Sequence, residues 1–208
     1  MQLALIPSGP FGRARAIMEA LPGRPMRPAV FLDRDGTLNE EVGYLHRPED
    51  VVLCRGAAEA IGMLNRCSVP VIVVTNQAGI GRGLFGWQDF QAVTDRIEEL
   101  LAERGARLDG VYAAPHHPEG RGVYRVADHP DRKPNPGMLL RAAEEHGLDL
   151  GRSWMVGDKD IDLEAGARAG CRVALVRTGY GSGTDASRAD LVAEDLAAAV
   201  REILAQWS

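Results

Sequence analysis

The feature that most constrains the fold of this chain is an alternation of short apolar runs with longer stretches of helical periodicity, which begins at Ala29. The apolar runs predict strands over 29–32, 69–75, 110–113, 154–156 and 173–176, and the other stretches predict helices over 57–66, 87–104, 136–146, 162–169 and about 186–206. Residues 71–74 are apolar at every position, which indicates burial on both faces, as in a parallel sheet covered by helices. The pattern predicts a doubly wound, Rossmann-like α/β domain.

The same pattern predicts the domain organisation. A chain of 208 residues has the length of one compact domain. Prolines punctuate residues 1–28, so this segment is interpreted as an N-terminal arm and residues 29–208 as the domain. The glycine-rich residues 179–184 predict a flexible link that is too short to separate two domains.

Charge and cysteine usage exclude several function classes. The chain has 29 acidic and 24 basic side chains, a formal net charge of -5, and its basic residues are scattered. Nucleic acids and anionic membranes are bound by clustered Lys and Arg, so neither is expected as a partner. The three cysteines form no CxxC pair, and no apolar run approaches the roughly 20 residues of a spanning helix. We expect a monomer located in the reducing cytoplasm.

Two aspartates follow the first predicted strand. Asp33 and Asp35 lie two residues apart, and Gly36 allows a sharp turn that brings both carboxylates to one site. At about 4 Å, two such charges repel by roughly 4 kcal/mol at an effective dielectric of 20. Either a divalent cation neutralises the pair, or one carboxylate keeps a proton near neutral pH and acts as a general acid.

Polar side chains also follow the second and fourth predicted strands. Ligands of open α/β sheets bind beyond the carboxyl ends of the strands, where Thr75 and Asp158 lie. Asp158 adds a third carboxylate, and oxygen ligands without cysteine suit a hard ion such as Mg²⁺. Thr75 adds a hydroxyl, and Lys133 adds a positive charge, so a phosphate group matches the set. Taken singly, each residue is also explained by a turn, a helix cap or a solvated lysine, but their common placement at strand and helix junctions favours a site.

These segments resemble, in the same order, the four motifs of the haloacid dehalogenase (HAD) superfamily of phosphotransferases. Residues 33–38, with the sequence DRDGTL, match the first motif, Thr75 the second, Lys133 the third, and Asp158 with Asp162 the fourth. The resemblance covers residues 29–178 and implies a HAD-like fold and a phosphatase. A phosphate-binding protein without activity is the alternative, but such a protein has no need for the full set of motif residues.

The resemblance implies a role for each matched residue. Asp33 is expected to be the nucleophile that forms an aspartyl-phosphate, and Asp35 the group that protonates the leaving alkoxide and then activates water. Asp33, Asp158 and the backbone carbonyl of Asp35 are expected to hold Mg²⁺. Thr75 and Lys133 are expected to hold the phosphoryl oxygens.

The surroundings of this site follow from the same resemblance. Asp162 is expected to orient Lys133 or a metal-bound water without itself contacting the metal ion or the phosphate. Too few residues separate the first three motifs for a separate cap domain. The mouth of the site is therefore expected to be shaped by the loops 39–50 and 115–131.

A finer resemblance points to the branch that contains heptose bisphosphate phosphatases and histidinol phosphatases. It rests on TNQAGIGRG at 75–83, PHHP at 115–118 and RKPNPGM at 132–138. The branch implies a small phosphorylated sugar as partner. It also implies hydrolysis of the 7-phosphate of D-glycero-D-manno-heptose 1,7-bisphosphate for lipopolysaccharide or nucleotide-activated heptose, with Asn76, Arg132 and Lys159 contacting the substrate. Histidinol phosphatase and other small-molecule phosphatases with the same machinery are the alternatives.

One loop departs from that branch. Many of its members hold a structural zinc through Cys-x-His and Cys-x-Cys just before the third motif, but here the corresponding positions read APH at 114–116 and HPD at 129–131. His116, His129 and Asp131 could supply nitrogen and oxygen ligands. Without thiolates, however, the expectation is a loop without zinc.

Overall fold

The computed structural model describes residues 26–207. Within this range six strands form one parallel sheet, which is flanked by six α-helices. The strands are β1 Val30–Leu32, β2 Val71–Asn76, β3 Gly110–Ala114, β4 Trp154–Gly157, β5 Arg172–Val176 and β6 Leu191–Ala193. The helices are α1 Ala57–Arg66, α2 Ala78–Arg82, α3 Trp87–Ala102, α4 Gly137–His146, α5 Asp160–Ala169 and α6 Leu196–Trp207.

The order of the strands determines where a ligand can bind. The order across the sheet is β3-β2-β1-β4-β5-β6, and Val30 of β1 lies beside Val71 of β2 and Trp154 of β4. The chain therefore winds in one direction from β1 to β3 and in the other from β4 to β6. Sheets of this kind open a crevice at the carboxyl ends of the strands where the order reverses, here at β1 and β4. The doubly wound α/β fold without a separate cap domain is confirmed over the described residues.

Alternate residues of the strands build two hydrophobic layers. Val30 and Leu32 pack with α1, α3 and α6 on one face of the sheet, and Phe31 packs with α4 and α5 on the other. Side chains of a strand alternate between faces, so a strand that is apolar at every position is buried on both sides. Each fully buried Val, Leu or Phe side chain contributes about 1.5–3 kcal/mol relative to exposure. This double layer is the rigid base that carries the loops at the carboxyl edge.

The predicted helix over 186–206 is wrong in its first half. The chain forms β6 there and pairs it with β5, and α6 starts only at Leu196. Asp190 accepts a hydrogen bond from the backbone of Val173 (2.8 Å), and Asp195 accepts one from the N–H of Ala198 at the start of α6 (2.8 Å). The open edge of β5 offers backbone partners that outweigh the helical propensity of a short segment.

Two smaller expectations also need correction. The glycine-rich composition of residues 79–83 favours a tight turn, but residues 78–82 form α2, and Gly83 is the C-cap of this helix. The link over 179–184 is a hydrogen-bonded turn that touches the carboxyl edge of the sheet, since Tyr180 N–H donates to Asp158 Oδ2 (2.8 Å). Both segments are folded by contacts with distant residues.

Most of the arm expected over residues 1–28 lies outside the described residues. At its end, Arg27 exchanges backbone hydrogen bonds with Gly147 (3.4 Å) and Asp149 (2.9 Å). We therefore propose that the domain begins at or before Arg27, slightly earlier than the predicted boundary. In the described part of the chain, no helix is long and apolar enough to cross a bilayer.

Candidate active site

The carboxyl ends of β1 and β4 bring Asp33 to the floor of the crevice. Its N–H donates to the carbonyl of Val156 (3.0 Å), which ties the end of β1 to β4. The Asp33 side chain is buried, and its Oδ1 accepts hydrogen bonds from the N–H of Arg34 and from Lys133 Nζ, both at 2.8 Å. Asp33 is therefore a buried carboxylate with a fixed orientation.

The side chain of Lys133 is completely buried, and its ammonium forms two hydrogen bonds and a further ion pair. Its Nζ lies 2.8 Å from Asp33 Oδ1, 2.8 Å from the carbonyl of Val74 and 2.6 Å from Asp162 Oδ1. Burial by itself would lower the pKa of Lys133, but Asp162 and Asp33 raise it above its ordinary value. The structure thus brings Asp162 to Lys133, as the sequence predicted, and keeps the ammonium charged.

Asp35 is held by a set of donors that sequence reasoning missed. Arg34 donates to both carboxylate oxygens (3.1 and 2.9 Å), and Asn39 and Gln77 each donate one further hydrogen bond (3.0 and 3.1 Å). Burial alone would raise the pKa of Asp35, but Arg34, together with Asn39 and Gln77, lowers it below the ordinary value. In the free protein Asp35 is therefore ionised.

Asp158 follows β4 directly, and Asp162 lies in the first turn of α5. Asp158 is fully buried, its Oδ2 accepts the N–H of Tyr180, and its Oδ1 is 3.9 Å from Lys159 Nζ. Among the described residues, this Oδ1 is one of a few buried side-chain atoms without a hydrogen-bond partner. Asp162 Oδ2 accepts the N–H of Lys159 (3.0 Å), which caps the first turn of α5.

The cluster has more negative charge than Lys133 can balance. Carboxylate oxygens of Asp33, Asp158 and Asp162 lie within 4.8 Å of one another, the only such group of three potential ligands in residues 26–207. Burial, with Asp162 adding to it, raises the pKa of Asp33 to about 7 against the pull of Lys133, and burial raises that of Asp158 to about 6. A hard cation bound here would stabilise the ionised carboxylates and lower both raised pKa values. The Oδ1 atom of Asp158 has no hydrogen-bond partner in the described part of the chain and is available as a ligand, so these residues fit Mg²⁺. Asp162 faces Lys133, which favours Asp33 and Asp158 as the ligands.

Thr75 and Asn76 lie at the end of β2, and both line the pocket. Thr75 is buried and lines the pocket, where its hydroxyl accepts a hydrogen bond from Gln77 (3.0 Å). The Asn76 amide donates to the carbonyl of Lys133 and accepts its N–H, each at 3.0 Å. Asn76 therefore orients the backbone of Lys133, while its predicted substrate contact stays a prediction.

A pocket of about 120 Å³ opens above this cluster. Its lining residues are Asp33, Asp35, Glu41, Gly43, Thr75, Asn76, Lys133, Lys159 and Ile161. Lys159 lies at its mouth, 2.9 Å from Glu41 Oε2, with the lysine side chain 30% exposed. Drug-sized ligands occupy about 300–1,000 Å³, so the pocket has room for a phosphoryl group while the rest of a substrate stays outside. Of the predicted residues, Arg132 does not line the pocket, because its guanidinium donates to the carbonyl of His116 (2.9 Å).

The loop expected over 115–131 brings two imidazoles together but not the third ligand. The rings of His116 and His129 stack in parallel with centroids 3.3 Å apart. Asp131 points away to Arg141, with Oδ2 2.7 Å from the guanidinium. The predicted set of His116, His129 and Asp131 is thus divided, and the absence of zinc stays a prediction.

Some residues of the site carry no signal in the sequence pattern. Arg34 and Gln77 hold Asp35, and Glu41 pairs with Lys159 across the mouth. Arg34 and Gln77 are close neighbours of motif residues in the sequence, and this proximity is the one sequence feature that indicates a place in the site. Their partners are set by the meeting of loops from different strands.

This geometry defines a class of protein. Two aspartates after β1, a threonine at the end of β2, a lysine before α4 and two aspartates after β4 on a doubly wound sheet are the arrangement of HAD-like hydrolases. A HAD-hydrolase-like family model matches residues 131–199.

Comparisons with known proteins narrow the class. The chain is 50% identical over 156 residues to the D-glycero-beta-D-manno-heptose-1,7-bisphosphate 7-phosphatase of Mesorhizobium japonicum, covering 74% of this chain and 72% of that protein. It is 49% identical over 190 residues to the D-glycero-D-manno-heptose-1,7-bisphosphate 7-phosphatase of Thermosynechococcus vestitus, covering 85% and 95%. The crystal structure of D,D-heptose 1,7-bisphosphate phosphatase from B. bronchiseptica, complexed with magnesium and phosphate, matches with a TM-score of 0.77 and 34% identity, over 86% of this chain and 99% of that one. The chain belongs to the HAD-like phosphatase family that contains these enzymes, and it is a hydrolase of phosphate monoesters.

Proposed function

We propose that this protein removes the 7-phosphate of D-glycero-D-manno-heptose 1,7-bisphosphate. The observation that carries the proposal is the identity of about half of all aligned residues with two phosphatases named for this substrate. The pocket agrees in chemistry, because it joins a buried nucleophile, a buried ammonium and a hydroxyl in a space of phosphoryl size. The substrate is a small phosphorylated sugar whose ring would rest outside the pocket, against the loops at its mouth.

The first step uses Asp33 and Asp35. The N–H of Arg34 and Lys133 Nζ both donate to Asp33 Oδ1, so we assign the attack on phosphorus to Oδ2. As the new O–P bond forms, the bond from phosphorus to the sugar oxygen breaks, and its electron pair leaves with that oxygen. Asp35 gives this oxygen a proton. Because Arg34 keeps Asp35 ionised in the free protein, the proton enters with the substrate, whose phosphate has a second pKa near 6.

The second step releases inorganic phosphate. Asp35, now ionised and held by Arg34, takes a proton from water, and the oxygen of that water attacks phosphorus. The bond between phosphorus and Asp33 breaks, which returns the carboxylate. Thr75 is proposed to donate its hydroxyl to a phosphoryl oxygen in both steps, and the buried positive charge of Lys133 stabilises the negative charge of the phosphoryl group at the floor of the pocket.

Mg²⁺ is proposed as the cofactor of both steps. Asp33, Asp158 and the backbone carbonyl of Asp35 would hold it, since Asp162 is engaged with Lys133. When bound, the ion lowers the repulsion between the carboxylates and the phosphate dianion. Lys159 and Arg132 are proposed to meet the substrate at the mouth, where two positive charges suit its second phosphate.

We place the reaction in the cytoplasm and propose a monomer. The three cysteines, Cys54, Cys67 and Cys171, are free thiols, which is typical of a reducing compartment.

The proposal is tested by phosphate release with Mg²⁺ from both anomers of the heptose 1,7-bisphosphate, from histidinol phosphate and from fructose 1,6-bisphosphate. The expected result is a clear preference for a heptose bisphosphate. Asp33→Asn, which changes one atom of the nucleophile, is expected to abolish turnover while the thermal unfolding curve shows a folded protein. Equal slow rates on all four compounds would refute the substrate, and an active, folded Asp33→Asn variant would refute the mechanism.

A further inference from the structure

We propose that the turn formed by residues 178–184, directly after β5, is a positioning element that fixes the Asp35 carbonyl and Asp158 relative to each other and thereby sets the affinity for Mg²⁺. The proposal rests on the metal site of the proposed function. It assigns a role to residues that lie outside the motifs and that are hydrogen-bonded to the site at both ends of the turn.

The first end of the turn holds the loop after β1. The hydroxyl of Thr178 donates to the carbonyl of Gly36 (2.6 Å), a residue 142 positions away in the sequence. On its other side, the N–H of Gly36 donates to the carbonyl of Asn39 (2.7 Å). The Gly36 N–H and the Asp35 carbonyl belong to one planar peptide unit, so the bond to Asn39 orients the Asp35 carbonyl directly, and the bond from Thr178 to the following peptide unit holds Gly36 itself in place.

The second end of the turn holds Asp158. The N–H of Tyr180 donates to Asp158 Oδ2, and the hydroxyl of Thr184 donates to the Asp158 carbonyl, both at 2.8 Å. These bonds leave Oδ1 as a buried carboxylate oxygen without a hydrogen-bond partner among residues 26–207. Partners of this kind, which orient a metal ligand without touching the metal, commonly determine metal affinity.

Glycines bring the turn into direct contact with the loop. A Cβ atom on Gly179 would collide with Asp158 Oδ2 and lie 2.7 Å from the Cα of Gly36, and a Cβ on Gly36 would also collide with Asp158. Both glycines have positive φ angles, +54° and +87°, which only glycine adopts readily. Backbone therefore packs on backbone here, and no flexible side chain can absorb a shift of the turn.

The turn is itself braced. Arg177 donates to the carbonyls of Gly181 (2.7 Å) and Thr184 (3.2 Å), and the N–H of Gly181 donates to the carbonyl of Thr178 (2.8 Å). A turn with internal hydrogen bonds moves as a unit. A displacement of Asp158 therefore also displaces the loop after β1, and a displacement of that loop also displaces Asp158.

The test replaces the Thr178 hydroxyl with a methyl group of similar size. Mg²⁺ binding to metal-free protein is measured by calorimetry for the wild-type protein, Thr178→Val, Thr178→Ser and Thr184→Val. The matched control is Thr94→Val, which loses a buried hydroxyl bond to the carbonyl of Phe90 (2.8 Å) inside α3. Phosphate release as a function of Mg²⁺ concentration is the second measurement.

We expect Mg²⁺ to bind Thr178→Val about 10-fold more weakly than wild type, the lower end of the cost of losing an outer partner of a metal ligand. Thr178→Ser and Thr94→Val are expected to bind as wild type does, and Thr184→Val is expected to be weakened. At saturating Mg²⁺, the kcat of Thr178→Val returns close to that of the wild type, which a general loss of folding would not allow.

The outcomes separate the possible failures. If Thr178→Val and Thr184→Val both bind Mg²⁺ as tightly as the wild-type protein does, the positioning role is overturned. It is also overturned if Thr94→Val loses as much affinity for Mg²⁺ as Thr178→Val does. Thr184→Val alone decides the matter if Thr178→Val does not fold. A wild-type protein that binds no Mg²⁺ refutes the proposed metal site itself, and the positioning role with it.

Discussion

Replacing Lys133 with Met is expected to destabilise the fold more than any other single change in the site. Met keeps a chain of four heavy atoms but removes the ammonium, which donates to Asp33 and to the carbonyl of Val74 and forms an ion pair with Asp162, at 2.6–2.8 Å. The lysine side chain is 0% exposed, and its two acidic partners are 7% and 0% exposed. Removing one partner of a buried ion pair costs about 3–5 kcal/mol because the remaining charge is left uncompensated. For a chain of this size that corresponds to a fall in Tm of about 6–20 °C.

The loss of stability in Lys133→Met is expected to depend on pH. Without Lys133, burial and the neighbouring carboxylate of Asp162 raise the pKa of Asp33 further in the folded state, so the folded variant binds more protons than the unfolded one, whose aspartates titrate near 3.9. The stability of the variant therefore falls as the pH rises from about 4 through the raised folded pKa of Asp33. In the wild type the pKa of Asp33 is already about 7, so the wild-type protein also loses stability as the pH rises towards 7. This loss is expected to be larger in the variant and to continue to higher pH. Urea unfolding in EDTA between pH 5 and pH 8 measures the difference.

Lys159 provides the matched control, since it is the one other lysine of the chain. Its ammonium pairs with Glu41 at 2.9 Å, but the lysine side chain is 30% exposed. Partly exposed pairs contribute about 1 kcal/mol or less, because water screens them. Lys159→Met is therefore expected to lose little stability. A deficit for Lys133→Met that equals the deficit for Lys159→Met, or that does not grow with pH, would refute the reasoning.

Two further predictions concern the surroundings of the nucleophile. Arg34→Met is expected to lose about 3 kcal/mol, the lower end for a broken buried pair, because Asp35 keeps Asn39 and Gln77. Without the guanidinium, burial raises the pKa of Asp35, so the limb of the pH profile of kcat/KM that reports this group is expected to move to higher pH; an unchanged profile would contradict the role of Arg34. Elemental analysis of tag-free protein is expected to find far less than one zinc per chain, because Asp131 is paired with Arg141 at 2.7 Å. One zinc per chain would show that the loop binds metal without cysteine.

Several parts of the site are predictable from the sequence because they depend on local pattern. Asp33, Thr75 and Asp158 each lie at the end of a buried strand, and parallel strands place their carboxyl ends at one edge of the sheet. The meeting of these side chains follows from strand order alone. The pairing of Asp162 with Lys133 was likewise expected from the resemblance, and the structure shows the two atoms 2.6 Å apart.

Other parts follow no local pattern. The β6 strand was interpreted as helix, because three residues carry too little periodicity to reveal a strand that exists only by pairing with β5. Asn76 holds the backbone of Lys133, 57 positions away, a contact that no local pattern indicates, and its contact with the substrate stays a prediction. Loop composition suggested flexibility for residues 179–184, which the structure shows as a braced turn beside Asp158.

The doubly wound fold, the edge of the sheet that carries the chemistry and the identity of the charged groups there can therefore be derived from the amino-acid sequence. These properties depend on periodicity and on residues next to strand ends, which are adjacent in the chain. Tertiary packing is what establishes the hydrogen-bond partners of each carboxylate oxygen, the cation that each acid faces and the turn that holds the cluster in place. Those properties depend on contacts between residues up to 142 positions apart, such as Thr178 and Gly36, whose geometry is set by packing of the whole domain.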